Sequence, residues 1–283
     1  MEWITLLNKT INYIEEYLTE EIDYNELAKI ACCSSFHYQR LFAYMANVPL
    51  SEYIRRRRMT LAAVDLQSGD KIVDVALKYG YSSPTAFNRA FQSIHGIAPS
   101  LAKESGISLK SFPPISFIIT IKGAEEMNYR IEKKESFRIV GISIPLSKEI
   151  DKNFEIIPPM WVKASTDGTT EKLASFMNSQ PMGMLGVSIC NNSEDWKYLI
   201  AVASTQETDS TLEHYTVPAF TWAIFPGEGQ CPGAILDLGK RIMTEWLTTS
   251  GFEYDNGPDI EVYINPDPQN AKFEIWIPVV KKQ

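Results

Sequence analysis

The side chains best suited to recognising another molecule lie between Val73 and Pro99, in the stretch VDVALKYGYSSPTAFNRAFQSIHGIAP. Gly80 separates two runs of helical periodicity, which predicts a helix, a tight turn and a second helix. The second run has an apolar stripe for the core, formed by Phe87, Ala90, Phe91 and Ile94. Its other face carries Thr85, Asn88 and Arg89. Because Arg and Asn match the donor and acceptor pattern of base edges, this face predicts a helix that enters a DNA major groove.

An earlier stretch repeats this pattern 48 to 50 residues upstream. Ser34-Ser35 matches Ser82-Ser83, and Pro49 matches Pro99. The repeat predicts an internal duplication of a helix-turn-helix unit. In its second helix we expect a core stripe of Tyr38, Leu41, Phe42 and Met45. The face outside that stripe is expected to carry the candidate DNA contacts Phe36, Gln39 and Arg40.

A continuous helix predicted from Ser51 to Gln67 connects the two copies and carries four successive arginines. Four adjacent residues on a helix point in four directions, so they cannot all contact the same partner. We expect some of them, with Arg55 and Arg57 as candidates, to reach DNA phosphates and others to pair with acidic residues. A solvated run of charge is the alternative interpretation.

Charge is unevenly distributed along the chain. The formal net charge is -8. Residues 36–103 carry nine Lys and Arg against four Asp and Glu, or +5, whereas residues 111–283 carry fifteen against twenty-three, or -8. Since the charge of a domain steers its own partners, the acidic total does not exclude DNA binding by the basic segment.

Composition excludes several other classes of protein. The sequence has no apolar run long enough to cross a bilayer and no signal-peptide pattern at its start, so we expect a cytoplasmic protein without a membrane partner. The four cysteines and three histidines have no metal-ligand spacing. We therefore expect buried, reduced thiols, no metal and no cofactor.

The two copies together resemble the DNA-binding domain of AraC-family transcription regulators. The resemblance rests on LAKIACCSSFHYQRLFAYMANVPLSEYIRRRRM and IVDVALKYGYSSPTAFNRAFQSIHGIAPSLAK and covers about residues 5–105. It implies two helix-turn-helix units on one rigid connecting helix, which bind successive major-groove segments of double-stranded DNA. It also implies Ser83 as a DNA contact beside the residues named above. Pro84 stands where many relatives have a polar residue, and it suits the first turn of a helix.

The pattern changes after residue 107. We predict domains at residues 1–107 and 127–283, joined by a connector at 108–126 that includes a short strand from Ile115 to Ile121. The second domain is predicted as α+β, with two ββαββ-type halves. Its predicted strands lie near residues 129–131, 138–144, 183–190, 198–203, 220–225, 260–264 and 273–278. Its main helices are predicted from Pro158 to Met177, with a break near Asp167-Gly168, and from Ala234 to Thr249.

Two late strands each place a carboxylate beside an aromatic ring. Alternation puts Glu261 with Tyr263, and Glu274 with Trp276. Trp222 and Trp161 are candidate additional walls. An aromatic pocket with an acid suits lipophilic cations. The alternative is that these are ordinary solvated faces of an antiparallel sheet.

The same region resembles the GyrI-like effector-binding domains found behind AraC-type domains in Rob-like regulators. The specific part is HYTVPAFTWAIFPGEG with EWLTTSGFEYDNGPDIEVYIN and FEIWIPV. The resemblance implies a ligand-binding pocket in which Glu261, and secondarily Glu274, meets an amphipathic or cationic effector. We therefore predict a non-enzymatic, ligand-controlled transcription regulator, with RNA polymerase as a further candidate partner. A small-molecule hydrolase using Glu261 or Glu274, and a domain that binds another protein, remain open alternatives.

Overall fold

A computed structural model describes residues 2–104, 106–118, 126–190, 195–208, 211–265 and 267–282. The chain divides into two compact units, Met1–Ile121 and Lys122–Gln283. Helices make up the first unit, and the second is built on a large antiparallel sheet. This is the multidomain arrangement predicted, an all-α double helix-turn-helix followed by an α+β domain.

Six α-helices and a short 3-10 helix form the first unit within its described residues. They are α1 (Glu2–Glu16), α2 (Tyr24–Ile30), α3 (Ser35–Ala46), α4 (Leu50–Gln67), α5 (Ile72–Lys78), α6 (Pro84–His95) and the 3-10 helix Pro99–Lys103. Helices α2 and α3 form the first helix-turn-helix, and α5 and α6 form the second.

Backbone geometry repeats between the two copies. Ser34 caps α3 by accepting a hydrogen bond from the backbone of His37, and Ser83 caps α6 in the same way. The turn before each of these helices contains one residue with positive φ, Cys32 (54°) in the first copy and Gly80 (82°) in the second. Glycine adopts this conformation at little cost, whereas Cys32 must hold it with a side chain. The duplication therefore extends from the sequence to the turn itself.

Helix α4 joins two separate hydrophobic cores. Its first half contributes Leu50, Tyr53 and Ile54 to the core of the first helix-turn-helix. Its second half contributes Met59, Ala62, Ala63 and Leu66 to the core of the second. Because a single helix is buried in both cores, the two helix-turn-helix units are held at a fixed separation.

Residues 108–118, which we call the strap, pack along the first unit. The backbone of Phe112 accepts a hydrogen bond from Arg57 (2.6 Å) and donates one to Thr60 (3.1 Å). The backbone of Phe117 exchanges two hydrogen bonds with the amide of Asn8, and its ring is buried in the first core. The predicted strand at 115–121 is thus wrong over 115–118, where side chains and not a strand satisfy the backbone. Residues 119–121 lie outside the described residues.

The second unit contains nine strands in its described residues. These are β1 (Arg130–Lys134), β2 (Phe137–Pro145), β3 (Met184–Ile189), β4 (Lys197–Ala203), β5 (Glu213–Val217), β6 (Phe220–Gly229), β7 (Phe252–Tyr254), β8 (Asp259–Tyr263) and β9 (Ala271–Lys281). The strand order is β1-β6-β9-β8-β3-β4-β2-β5, with β7 paired to the end of β9. Strands β5 and β7 lie outside the predicted strands, because β5 is short and mostly polar and β7 has only three residues.

The sheet consists of two ββαββ repeats related by a pseudo-twofold axis. The pair Leu185–Ala201 on β3 and β4 corresponds to Ile260–Trp276 on β8 and β9, an offset of 75 residues on both strands (185 to 260, 201 to 276). The first strand of each repeat is exchanged: β1 pairs with β6, and β5 pairs with β2. The axis runs between β3 and β8, where the two repeats join.

Helices pack against one face of this sheet. They are α7 (Ile150–Thr166) and α8 (Thr169–Phe176) in the first repeat and α9 (Gly233–Arg241) in the second, which continues as a π-helical segment, Ile242–Trp246, and a last turn, Leu247–Thr249. The predicted break is confirmed at Gly168, which has a φ of 83°. Helix α7 begins eight residues before the predicted start, because it continues through Pro158 and Pro159. A proline inside a helix removes one backbone donor and usually predicts a boundary.

One buried histidine links the strap to the second helix-turn-helix and makes the unit sensitive to acid. The backbone N–H of Lys110 donates to His95 Nδ1 (3.2 Å), so Nε2 carries the proton and donates to the carbonyl of Met59 (3.0 Å). Burial, opposed by that carbonyl and assisted by the charge of Lys110, lowers the pKa of His95. Protonation would replace the acceptor at Nδ1 with a donor.

We therefore expect the stability of the first unit to fall as the pH drops. Because the folded pKa of His95 lies below the unfolded value, its contribution is complete above the unfolded pKa and is lost as pH falls through the folded one. Urea unfolding followed by helical circular dichroism between pH 7.5 and 5 measures this. His95→Gln should flatten the slope by up to about 1.4 kcal/mol per pH unit, the limit for one proton. The exposed His214 is the control, and an equal effect of His214→Gln would contradict the assignment.

Candidate functional site

Helix α6 presents an accessible polar face, as its periodicity predicts. Phe87, Ala90, Phe91 and Ile94 are buried in the second core. Thr85 and Arg89 are exposed, and Asn88 is partly exposed. Ser83 lies one residue before the helix, where its hydroxyl accepts the backbone N–H of Ala86 (3.1 Å). Ser83 therefore caps α6, the helix that carries Thr85, Asn88 and Arg89.

Helix α3 differs from its copy at two of the three predicted contacts. Phe36 and Gln39 are only 7% and 2% exposed, so the prediction that they lie on an open face is wrong. The guanidinium of Arg40 lies over the ring of Phe36, 5.4 Å from its centroid. The amide of Gln39 donates to the hydroxyl of Ser35 (3.5 Å). Arg40 itself is partly exposed and also donates to the Tyr44 hydroxyl (3.3 Å).

The four arginines of α4 do not all share one partner, as expected. Arg55 and Arg56 both pair with Glu52 on the preceding turn. Arg58 donates to the backbone carbonyls of Leu18 and Glu20. The two hydrogen bonds of Arg58 hold α4 against the loop that follows α1.

Arg57 is the arginine that must be removed from the predicted DNA contacts. Its side chain is 8% exposed and forms a bidentate pair with Glu15 (2.7 to 3.0 Å). Its remaining group donates to the carbonyl of Phe112. A guanidinium that joins α1, α4 and the strap in this way is a structural group, because its donors are already bound to acceptors within the protein.

The predicted ligand residues fall on two faces of the sheet in the second unit. Directly opposed residues on antiparallel strands share a face, and Glu261 opposes Ile275 whereas Glu274 opposes Val262. The helix face carries Glu261 and Tyr263 with the residues that pack against α9. The opposite face carries Glu274, Trp276 and Trp222. The six predicted residues therefore do not line one pocket.

On the helix face, hydroxyl groups converge on Glu261. The hydroxyl of Tyr263 donates to Glu261 Oε2 (2.9 Å). The hydroxyl of Tyr198 on β4 also hydrogen-bonds to Glu261 and accepts the indole N–H of Trp161 (2.8 Å). The rings of Trp161 and Tyr263 meet with their centroids 5.0 Å apart. Glu261, Tyr263 and Trp161 are each partly exposed, so this group is reachable from solvent.

Gly186 makes the convergence possible. It lies directly opposite Glu261 on β3, and the pseudo-twofold offset of 75 makes these two residues equivalents of each other. A β-carbon at Gly186 would lie 2.3 Å from the Tyr198 hydroxyl and 3.0 Å from Glu261 Oε2. Because glycine has no side chain, the Tyr198 hydroxyl occupies the space above Gly186 and reaches the Glu261 carboxylate.

Burial and the nearby carboxylate keep both phenols protonated. Desolvation raises the pKa of Tyr198 well above its ordinary value, and the charge of Glu261 raises it further. The same two causes raise the pKa of Tyr263. A protonated phenol donates its hydrogen bond to the carboxylate without cancelling its charge. The arrangement therefore suits a partner that carries a positive charge and apolar surface.

On the opposite face, Glu274 already has a cationic partner. Arg130 on β1 binds both of its oxygens, at 2.8 and 3.0 Å, and the indole N–H of Trp276 donates to it at 2.7 Å. Trp222 is fully buried against Trp276. We therefore remove these three residues from the candidate ligand site, because the carboxylate is neutralised and the rings belong to a core.

Two residues of the site, Tyr198 and Gly186, escaped prediction. Both residues act on Glu261 from neighbouring strands. Tyr198 pairs with Ser188, two residues from Gly186, and its side chain reaches Glu261 diagonally. A single sequence gives the alternation within a strand but not the register between strands. The polar hydroxyl in the otherwise apolar strand YLIAVA was the one available signal.

The described residues contain no group of three or more His, Cys, Asp or Glu that could hold a metal ion. All four cysteines are free thiols, but the expectation of burial is wrong for Cys32, which is exposed at its turn. None of the helices in the described ranges is long and apolar enough to span a bilayer.

We expect Gly186→Ala to destabilise the protein by about 1–3 kcal/mol, the usual cost of overpacking a core. The added methyl would displace the Tyr198 hydroxyl from Trp161 and Glu261. Urea unfolding is the measurement, and Gly233→Ala is the control, since nothing lies within 4 Å of a β-carbon there. Tyr198→Phe in the Gly186→Ala background should restore part of the loss. Equal effects of the two glycine substitutions would contradict the described packing.

Comparison with known proteins identifies both units. The family of integron-associated effector binding proteins, Cass2, matches residues 130–279, and a helix-turn-helix domain family matches residues 27–105. The transcriptional activator AarP of Providencia stuartii is 35% identical over 102 residues, which cover 36% of this chain and 76% of AarP. The regulatory protein SoxS of Salmonella typhimurium is 33% identical over 96 residues, covering 34% of this chain and 90% of SoxS.

A solved structure of a transcription regulation protein from Staphylococcus aureus MU50 covers 54% of this chain and 99% of its own, with 21% identity and a TM-score of 0.48. The two family matches fall on the two structural units, the helix-turn-helix domain on the first and the effector-binding domain on the second. The chain is a member of the AraC family of transcription regulators with a C-terminal effector-binding domain of the Cass2 and GyrI-like family.

Proposed function

We propose that this regulator senses a lipophilic cation through Glu261 and that the bound cation changes how the protein acts at its DNA site. The observation that carries the proposal is the partly exposed carboxylate of Glu261, held by two phenol donors beside the ring of Trp161. The carboxylate supplies charge, and the neighbouring rings supply cation–π attraction and apolar contact. Ligand control further requires that the ligand bind two states of the protein with different affinities.

For DNA, we propose that α6 enters one major-groove segment and α3 a second. The repeated caps and turns support equivalent roles for the two helices. Thr85, Asn88 and Arg89 are the proposed contacts on α6, and Arg40 is the proposed contact on α3. Arg55 remains a phosphate candidate, because its side chain is 43% exposed and an exposed ion pair is weak enough to exchange.

RNA polymerase is proposed as a further partner, in the cytoplasm where the DNA is. An exposed apolar pair on α5, Val73 and Leu77, supports a protein contact on the first unit. Residues four apart on a helix lie on the same side, so these two side chains form one small surface. These two residues lie on α5, whereas the proposed DNA contacts Thr85, Asn88 and Arg89 lie on α6.

Sensing is proposed here and not turnover. The thiol of Cys231 lies within electrostatic range of Glu261, and burial first and then the charge of that carboxylate raise its pKa. A thiol that stays protonated is a poor nucleophile. The hydrolase alternative requires product formation that Glu261→Gln abolishes, which assays with ester substrates of cationic alcohols measure directly.

For DNA binding, we expect Arg89→Ala to weaken the specific complex by about 1–3 kcal/mol, the range for one base or close phosphate contact. Fluorescence anisotropy with operator DNA at several salt concentrations is the measurement. Lys9→Ala removes one positive charge from an exposed position on α1 and is the matched control. An Arg89→Ala protein with the affinity and salt dependence of the Lys9→Ala protein would rule out the contact.

For the ligand, we expect Glu261→Gln to weaken binding of tetraphenylphosphonium by about 1–3 kcal/mol, the Coulomb energy of two unit charges about 6 Å apart at an effective dielectric constant of about 20 to 60. Isothermal titration calorimetry on the full chain measures it. Glu274→Gln is the matched control, because it makes the same change on the opposite face of the sheet. Loss of binding in Glu274→Gln with retention in Glu261→Gln would place the cation site on that other face.

A further inference from the structure

The surroundings of Glu261 also bear on which cations it accepts, and this argument rests on the proposed cation site. An ionised carboxylate offers about four lone-pair positions for hydrogen bonds. At Glu261 two donors are already supplied by the protein, the hydroxyls of Tyr263 and Tyr198. Each is a fixed, neutral donor that comes from a strand and not from a mobile loop.

Tyr198 is fixed more strongly than Tyr263. It is buried, and its oxygen accepts the Trp161 indole N–H at 2.8 Å while its own proton points to Glu261. The space above Gly186 admits this hydroxyl and has no room for a β-carbon as well. Trp161, Tyr198 and Glu261 therefore form a hydrogen-bond chain whose direction is set, with each donor facing towards the carboxylate.

We propose that Tyr198, seated over Gly186, makes the site selective for quaternary onium ions over protonated amines. A quaternary ion has no N–H group and interacts with the carboxylate and the rings without directional bonds. A protonated amine must place each N–H on an acceptor when it leaves water, and the phenols have taken acceptor positions on Glu261. In place of free acceptor atoms, the rings of Trp161 and Tyr263 offer π-faces to the ligand.

The pseudo-twofold axis explains why this donor set is found at one position. Gly186 and Glu261 are equivalents, so one repeat supplies the charge and the other supplies the space. The equivalent of Tyr198 in the second repeat, by the same offset, is Phe273, which has no hydroxyl. The site thus has one carboxylate and one buried phenol, which matches a ligand with a single charge.

The test compares two ions that differ by one N-methyl group, benzyltrimethylammonium and protonated benzyldimethylamine, by calorimetry on the full chain at pH 7. We expect the wild type to prefer the quaternary ion. In Tyr198→Phe the ratio of the two dissociation constants should shift towards the amine by roughly three- to tenfold, because one acceptor position on Glu261 is released. A purely structural role for Tyr198 would weaken both ions equally and leave the ratio unchanged.

Tyr263→Phe is the second variant, and it should shift the ratio in the same direction. Tyr215→Phe, on the opposite face of the sheet, is the matched control and should leave the ratio unchanged. An unchanged ratio in both Tyr198→Phe and Tyr263→Phe, with both ions bound, overturns the selectivity role and leaves the cation site standing. Failure of the quaternary ion to bind the wild type overturns the cation site, and this inference with it.

Discussion

The antiparallel pairing of β3 with β8 is the constraint on which the second unit depends. It joins the two repeats into one sheet and places the pseudo-twofold axis between Gly186 and Glu261. Glu261 is only partly exposed at this pairing, so its carboxylate needs hydrogen-bond donors from the protein. Tyr198 and Tyr263 are those donors. The position of the candidate site in the fold, its polarity and its single charge all follow from that one pairing.

The first unit is likewise built from two copies of one structural motif. Two copies of a motif are again joined, here through α4, whose halves lie in separate cores. Arg57 adds a polar connection at the middle of that helix by joining Glu15 on α1 to the backbone of the strap. A buried pair of this kind contributes little net stability but tolerates few alternative arrangements, because breaking it leaves an uncompensated charge. The relative placement of α3 and α6, the two helices proposed to contact DNA, therefore depends on α4 and Arg57.

Sequence reasoning succeeded where information is local. The turn at Gly80, the apolar stripe of α6 and the repeat of the helix-turn-helix unit follow from local spacing, and the structure confirms them. It failed where the outcome depends on distant partners. The exposure of Gln39, the inward direction of Arg57 and the separation of Glu274 from Glu261 depend on tertiary contacts and strand register, which a single sequence does not contain. Proline was misleading in α7, where the helix continues through Pro158 and Pro159.

The exchange of first strands between the repeats resembles the strand exchange of a twofold dimer. Exchanged elements are how identical chains commonly form a twofold dimer, and a dimer of one ββαββ chain would reproduce this sheet. In such a dimer the residue on the axis meets its own copy, so it would face either a second carboxylate or a second glycine. Two opposed carboxylates repel each other, and two glycines carry no charge. With both repeats in one chain, position 186 is Gly while position 261 is Glu. A symmetric dimer of identical repeats could not present this pair, so the site depends on two repeats of different sequence.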